Sequence, residues 1–102
     1  MKRSYIAEKT LYLKNIDEEV KEVNVCIGQP YQKEEGSWAC PIQLKGLFED
    51  LSDVYGEDSF QALMLAQNLA RTLLNALVEK GWNVYSHANK EVDVDTLFKV
   101  GV

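Results

Sequence analysis

The stretch YGEDSFQALMLAQNLARTLLNALVEKGW, residues 55–82, carries the strongest structural signal in this chain of 102 residues. Asp58 is a favourable N-cap residue, and Gln61, three positions later, completes a pattern typical of a capping box. Gly81 stands where the glycine that ends a helix belongs, and Trp82 is placed to pack back on the last turn. The stretch therefore predicts one long helix over about residues 58–80.

This predicted helix has more apolar surface than one sheet can cover. A helix on a sheet needs an apolar arc of only a little more than about 100°, whereas apolar residues here cover more than half of the circumference. Either the C-terminal tail or a second copy of the chain covers the excess. We predict a homodimer whose contact includes the helix flank of Leu65, Leu69 and Ala76, or the tail strand. The apolar residues of the tail are Val92, Val94, Leu97, Phe98 and Val100.

The residues before the helix predict β-strands. Residues 4–14 are rich in strand formers, residues 20–28 and 37–44 alternate between apolar and polar, and a short strand is expected around residues 52–55. Pro41 has no backbone N–H, so the third strand must be an edge strand or bulged there, or have a short neighbour. The fold predicted is α+β: a mostly antiparallel meander of about four strands with the helix on one face and a short C-terminal extension, in a single domain spanning residues 1–102.

The two cysteines, Cys26 and Cys40, flank a turn-rich loop that could place them together in a disulfide. Matching the apolar faces of the two strands pairs odd positions of the first with even positions of the second. Cys40 then faces the core and Cys26 the opposite side, as a half-exposed thiol, and side chains on opposite faces cannot form a disulfide. We therefore predict two free thiols.

The net charge of −5 is confined to one segment. Residues 46–79 carry Arg71 against six acidic residues, 1 − 6 = −5, while the rest of the chain is balanced. Such a surface disfavours nucleic acid. It favours a basic protein partner, unless the acids serve only the helix dipole and solubility. The residues predicted to bind such a partner are Glu49, Asp50, Asp53 and Glu57.

Few residues suggest chemistry. The two cysteines and His87, which is expected in a loop after the helix, lack the spacing of a zinc site, and nothing places His87 beside a thiol as a base. Glu91, Asp93 and Asp95 would share one face if EVDVD formed a strand, most simply a solvated face. No phosphate loop, nucleophile elbow or HExxH motif occurs. We predict no catalytic residue, cofactor or metal.

Four short motifs resemble a family of small bacterial proteins of unknown function. They are an IAE start at residues 6–8, an IG-x-P turn at 27–30, a W-x-C strand at 38–40 and the helix opening YG-x-DS-x-QAL at 55–63. The resemblance covers roughly residues 5–80 and implies no activity, ligand or catalytic residue.

Two classes of function remain open. The first is a protein-binding module, for example an immunity protein that neutralises a basic bacterial toxin. The second is a ligand-binding or enzymatic homodimer with a pocket between helix and sheet near Trp38 and Tyr55. No apolar run approaches the roughly 20 residues of a membrane span, and Glu8 and Lys9 interrupt the apolar stretch of any signal peptide. We therefore expect a cytoplasmic protein without a membrane partner.

Overall fold

The computed structural model describes residues 5–87 and 90–98 and has the predicted α+β architecture. The long helix α1 spans Ser59–Glu79, and a short helix α2 spans Val94–Leu97. The strands in this part of the chain are β1 Tyr5–Lys14, β2 Val20–Gly28, β3 Tyr31–Gln32, β4 Trp38–Cys40, β5 Ile42–Lys45, β6 Val54–Gly56, β7 Asn83–His87 and β8 Lys90–Glu91.

The strands form two antiparallel sheets that meet at Pro41. The large sheet has the order β5-β2-β1-β7-β8, and the small sheet the order β3-β4-β6. β4 and β5 correspond to the single strand predicted over residues 37–44. Pro41 separates them because it cannot donate to a ladder, although its carbonyl accepts a bond of 2.8 Å from the N–H of Gly28. Because of this break, residues 38–45 contribute β4 to the small sheet and β5 to the large sheet.

Both ends of α1 are capped as the sequence predicts. The Asp58 carboxylate accepts from the N–H of Gln61 at 2.7 Å, while the Gln61 side chain accepts from the N–H of Glu57 at 2.6 Å. At the other end Gly81 has a φ of +102°, and Gly81 and Trp82 donate to the carbonyls of the last helical turn. This pattern is a Schellman motif, for which the left-handed region favours glycine.

A line of small side chains lets α1 approach the sheets closely. Ala62, Ala66, Ala70 and Leu74 recur every four residues and are fully buried, so they form one stripe along the helix. Half-buried leucines flank the stripe. The core on the sheet side includes Leu11, Leu13, Val23, Ile42, Leu44 and Val84.

The cysteines face opposite ways, as predicted, although the break at Pro41 places them in different sheets, Cys26 in β2 of the large sheet and Cys40 in β4 of the small sheet. β2 and β5 pair Val25 with Leu44 and Ile27 with Ile42, so odd positions face even ones. Cys26 points away from α1, Cys40 belongs to the core, and both are free thiols. One detail of the prediction was wrong: Cys26 is fully buried rather than half-exposed.

The chain after α1 departs from the prediction. β7 pairs with the end of β1, and β8 continues the sheet, so His87 ends a strand rather than lying in a loop. The EVDVD segment is not one strand, because Asp93 precedes α2 and Asp95 lies within it. Arg71 and Asn75 of α1 hold Asp95 at 4.0 and 3.1 Å. The tail therefore both extends the sheet and covers part of α1; Val100 lies outside the described residues.

Candidate functional site

The small sheet and the loops around it gather the acidic residues. Residues 29–40 and 47–58, which form this region, carry one lysine and seven acids, 1 − 7 = −6. We call the region the acidic end. Glu49 and Asp50 lie exposed in the loop before β6, Asp53 is half-buried beside β6, and Glu57 is exposed between β6 and the helix cap. The turn between β3 and β4 adds Glu34 and Glu35, which a charge count along the sequence does not single out because residues 1–45 are balanced as a whole.

Gln43 fixes the loop that carries Glu49 and Asp50. It is the one polar side chain among the buried residues of the described chain, with 3% of its surface exposed. Its Nε2 donates to the carbonyl of Leu51 at 3.0 Å, and its Oε1 accepts from the N–H of Leu51 at 3.4 Å. A bridge between Leu44 and Phe48 holds the start of the loop. The acidic loop is therefore tied to the sheet rather than free.

Two tyrosines form a row on the outer face of the small sheet. Strand register places Tyr31 opposite Ala39 and Ala39 opposite Tyr55, and residues opposite one another point to the same face. Tyr31 is 45% exposed and Tyr55 57% exposed, while Ala39 between them is fully buried. We call this row of Tyr31, Ala39 and Tyr55 the tyrosine face.

Charged residues orient both rings. The Tyr31 hydroxyl donates to the Asp53 carboxylate at 2.5 Å. Lys33 lies 4.4 Å from the centroid of the Tyr55 ring and donates to its hydroxyl at 3.3 Å, and this hydrogen bond raises the pKa of Lys33. The structure thus brings together Asp53, predicted as a partner-binding residue, and Tyr55, predicted as a pocket residue.

Trp38 and Tyr55, the two residues predicted to line one pocket, point in different directions. Trp38 pairs with Gly56, one position away from the pair of Ala39 and Tyr55, so the two aromatic side chains lie on opposite faces of the small sheet. Trp38 packs against the core, while Tyr55 faces solvent. Gly56, opposite Trp38, lets β6 approach the start of α1 closely, because a Cβ there would lie 2.6 Å from the backbone nitrogen of Ala62.

The surroundings of the thiols oppose nucleophilic chemistry. Burial raises the pKa of Cys26, and the hydrogen bond of 3.3 Å that its thiol donates to Glu8 raises it further. Burial raises the pKa of Cys40 to about 11, with a further contribution from the charge of Asp53. Since the thiolate is the reactive form, neither cysteine is activated.

Metal ligands, membrane spans and hollows are the other features that bear on function. Across residues 5–87 and 90–98, no three histidine, cysteine or acidic side chains converge as a metal site would require. No helix in that part of the chain has the length and apolar content to cross a membrane. Two hollows, of about 390 and 370 Å³, lie away from the tyrosine face, one between β7 and the segment before α2, the other beside β1.

A family model described as a domain of unknown function (DUF6968) matches residues 7–92. The chain belongs to the DUF6968 family. The resemblance to a family of unknown function is thereby confirmed, and the match extends past residue 80 to include β7 and β8. No curated protein and no solved structure matches the chain. The family's description assigns no activity, so the function must be argued from the site itself.

The tyrosine face shows what the sequence analysis missed. Tyr31 and Lys33 lie in the turn-rich stretch between the cysteines and were assigned to a loop. Their only sequence signal is the position of Tyr31 just after Pro30, a residue that often precedes or begins extended segments. The residues opposite Tyr31 depend on the register of its strand, and that register cannot be predicted from the sequence when the length of the loop is unknown.

Proposed function

We propose that this protein is a protein-binding module that uses the tyrosine face, with its acidic surroundings, to bind a basic protein. The observation that supports this most directly is the pairing of two exposed tyrosines, 45% and 57% exposed, within a region of net charge −6. Tyrosine is enriched among the residues that dominate binding energy at protein interfaces. Surrounding charges of one sign favour a partner of the opposite sign.

The rigidity of the tyrosine face supports the same proposal. Tyr31 and Tyr55 are each held by a charged neighbour, Asp53 and Lys33 respectively, so little side-chain entropy remains to be lost on binding. Gln43 holds the loop that carries Glu49 and Asp50. A surface that is ordered before the partner arrives binds more tightly than one that must first become ordered.

The position of Lys33 suggests how a basic partner is recognised. A cation over an aromatic ring is attracted by the negative face of the ring, and Lys33 occupies that place over Tyr55 at 4.4 Å. A lysine or arginine of the partner can take a similar position on Tyr31 or displace Lys33. Exposed acids such as Glu49 and Asp50 then accelerate the encounter by long-range attraction.

An immunity protein that neutralises a basic bacterial toxin is the concrete form of this proposal. Such a protein needs no catalytic residue, only a preformed acidic surface. A cytoplasmic location belongs to the same proposal. It is supported by two free thiols, since the cytosol keeps thiols reduced.

The test compares two sets of charge reversals in affinity capture from the native host at low salt. Glu49→Lys with Asp50→Lys alters the acidic end, while Glu79→Lys with Glu91→Lys makes the same change in net charge elsewhere. All four side chains are exposed. A basic protein captured by the wild type and by the second variant, but weakly by the first, supports the proposal. Equal capture by all three, or capture of no basic protein, contradicts it.

A kinetic measurement with the captured partner separates the two parts of the site. We expect the reversals at Glu49 and Asp50 to slow association and flatten its salt dependence, because charges at the rim of an interface act mainly on the association rate. Tyr55→Ala should instead speed dissociation. Asp53 is unsuitable for this test because it also holds Tyr31.

The homodimer predicted from the width of the helix remains a proposal. Leu65 is 42% exposed and Ala76 is exposed, while Leu69 is half-buried. On the other flank Phe60 and Met64 are 70% and 52% exposed. The described part of the tail, which ends at residue 98, therefore leaves some of the apolar surface of α1 uncovered. A dimer through the flank of Leu65 would leave the tyrosine face accessible, since the face lies on the small sheet.

A further inference from the structure

Among the residues that the structure describes, one long side of β1 has no strand partner over most of its length. β2 pairs with β1 from Tyr5 to Lys14, whereas β7 pairs with the opposite side only at Tyr12, Leu13 and Lys14. Within the described residues, no strand pairs with the outer side of residues 5–11. Residues 6–10 are all exposed. Backbone N–H and C=O groups at such an edge can pair with an added strand.

An apolar hollow of about 370 Å³ lies beside this open edge. Leu11, Val25 and Ile27 supply its apolar sheet side, and Gln67 of α1 and Phe98 line it from the helices. The hollow adjoins the same part of β1 that lacks a strand partner. An edge that offers hydrogen bonds and a hollow that accepts side chains together form the two parts of a strand-addition site, where the backbone gives affinity and the side chains give specificity.

The two charges of this edge lie on different faces. Lys9 pairs with Val25, whose side chain belongs to the core on the helix side, so Lys9 points toward the hollow. Glu8 also lines the hollow, but it pairs with Cys26, so its side chain points to the other face. There its carboxylate accepts bonds from Asn24 and Cys26, both at 3.3 Å. The hollow therefore presents a positive charge among apolar side chains.

We infer that the open edge of β1 binds an extended segment of another protein as an additional strand. Apolar side chains of that segment enter the hollow, and an acidic side chain lies opposite Lys9. Opposite charges facing each other across a strand pair stabilise it, and like charges destabilise it. This site is separate from the tyrosine face, so the inference does not depend on the proposed function.

The charges of Glu8 and Lys9 also disfavour a second copy of this chain as the strand that pairs with the open edge. A symmetric antiparallel pairing places one residue opposite itself. The two registers that use most of the open edge are centred on Glu8 or on Lys9, and each places like charges opposite one another. A charged edge of this kind resists self-association, whereas a different segment can carry the complementary charge.

The test uses a synthetic peptide, acetyl-Thr-Val-Thr-Asp-Thr-Val-Thr-amide, in which valine and aspartate share one face. The control peptide has lysine in place of aspartate. Binding is followed by nuclear magnetic resonance on the isotope-labelled full chain. We expect shifts concentrated at Ala7, Lys9 and Leu11. We also expect the aspartate peptide to bind roughly fivefold more tightly than the lysine peptide, the effect of about one favourable cross-strand pair.

A charge exchange in the protein completes the test. Lys9 is exposed, so Lys9→Glu should leave the fold intact, as the spectrum of the free protein will show. This variant should prefer the lysine peptide. An unchanged preference, shifts confined to other regions, or no binding of either peptide would overturn the inference. Protection of the outward-facing amides of residues 6–10, those not bonded to β2, in a protein that sediments as a dimer would also overturn it, because a second copy would then occupy the edge.

Discussion

Gln43 and Leu51 are joined by two hydrogen bonds, one in each direction, of 3.0 and 3.4 Å. The Gln43 side chain thus bonds both the N–H and the C=O of Leu51, as the backbone of a neighbouring strand would. The segment between them contains Glu49 and Asp50, two of the acids assigned to partner binding. A single buried amide thus connects the stability of the sheet with the shape of the acidic end.

The first prediction concerns this connection. Gln43→Leu should lower the free energy of unfolding by about 1–3 kcal/mol, because it removes both bonds to the buried backbone groups. Amide hydrogens of the loop from Leu47 to Asp53 should exchange faster. Urea denaturation and hydrogen exchange measure the two effects.

Gln32→Leu provides the matched control. Gln32 also donates to a backbone carbonyl, that of Gly36 at 3.2 Å, but it is exposed, so water can replace the lost bond. Its substitution should have little effect on stability. If loop exchange is the same in Gln43→Leu and in the wild type, the loop is held by other contacts.

The second prediction concerns the close approach of β6 to the start of α1. Gly56→Ala should destabilise the fold by about 1–3 kcal/mol through overpacking, since the added Cβ would lie 2.6 Å from the nitrogen and 2.9 Å from the Cα of Ala62. A chemical denaturation curve gives the change.

Gly36 separates crowding from backbone strain. It has a φ of +103° and no atom within 4 Å of an added Cβ. Asparagine tolerates the left-handed region better than alanine does, so Gly36→Asn should be more stable than Gly36→Ala. Gly56→Asn should show no such recovery over Gly56→Ala. A recovery at Gly56 would mean that the backbone, and not contact with Ala62, requires glycine there.

Local signals explain why the helix could be predicted from the sequence. The cap residues Asp58 and Gly81 act through bonds to neighbours within a few positions, so their identity and spacing reveal both helix ends. The facing of β2 and β5 was also predictable, because pairing odd positions of β2 with even positions of β5 places Val25, Ile27, Ile42 and Leu44 on a common face.

The tyrosine face and β7 depend on contacts between distant residues. Tyr31 and Tyr55 are 24 positions apart and become neighbours only because both strands pair with β4. The sequence does not predict β7, because Asn83–His87 lacks a clean apolar alternation. These residues form a strand because they pair with the end of β1. Tertiary pairing outweighs local pattern in such short strands.

The third prediction concerns self-association. We expect light scattering at micromolar concentration to give the mass of a dimer. Leu65→Glu should give a monomer, because it places a charge on the exposed apolar flank proposed as the contact. Gln67→Glu is the control, since Gln67 is exposed and lies about 160° around the same helix from Leu65, on the other flank. A wild type with the mass of one chain, or equal dimerisation of all three proteins, would contradict this contact.

The fourth prediction follows from the buried thiols. The pKa of Cys40 is raised from an ordinary value of 9.0 to about 11, and that of Cys26 is also raised. Because the thiolate is the reactive form, both should react slowly with a thiol reagent in the native protein at pH 8. Two thiols should react at once in protein that is unfolded without a reductant. Finding none would reveal a disulfide, contrary to the placement of the two side chains on opposite faces.

The same pKa shift gives stability a definite dependence on pH. As the pH rises above about 9, the unfolded state loses the Cys40 proton first, so it binds fewer protons than the folded state and the free energy of unfolding falls. The stabilisation by the neutral thiol is complete below the ordinary pKa of 9.0 and is lost as the pH rises toward about 11.

Lysines and tyrosines also titrate in this range, so the comparison must be made with Cys40→Ala. Between pH 8 and 10.5 the urea midpoint of the wild type should fall further than that of Cys40→Ala. Parallel decreases in both proteins would show that Cys40 ionises as readily in the folded chain as in the unfolded one.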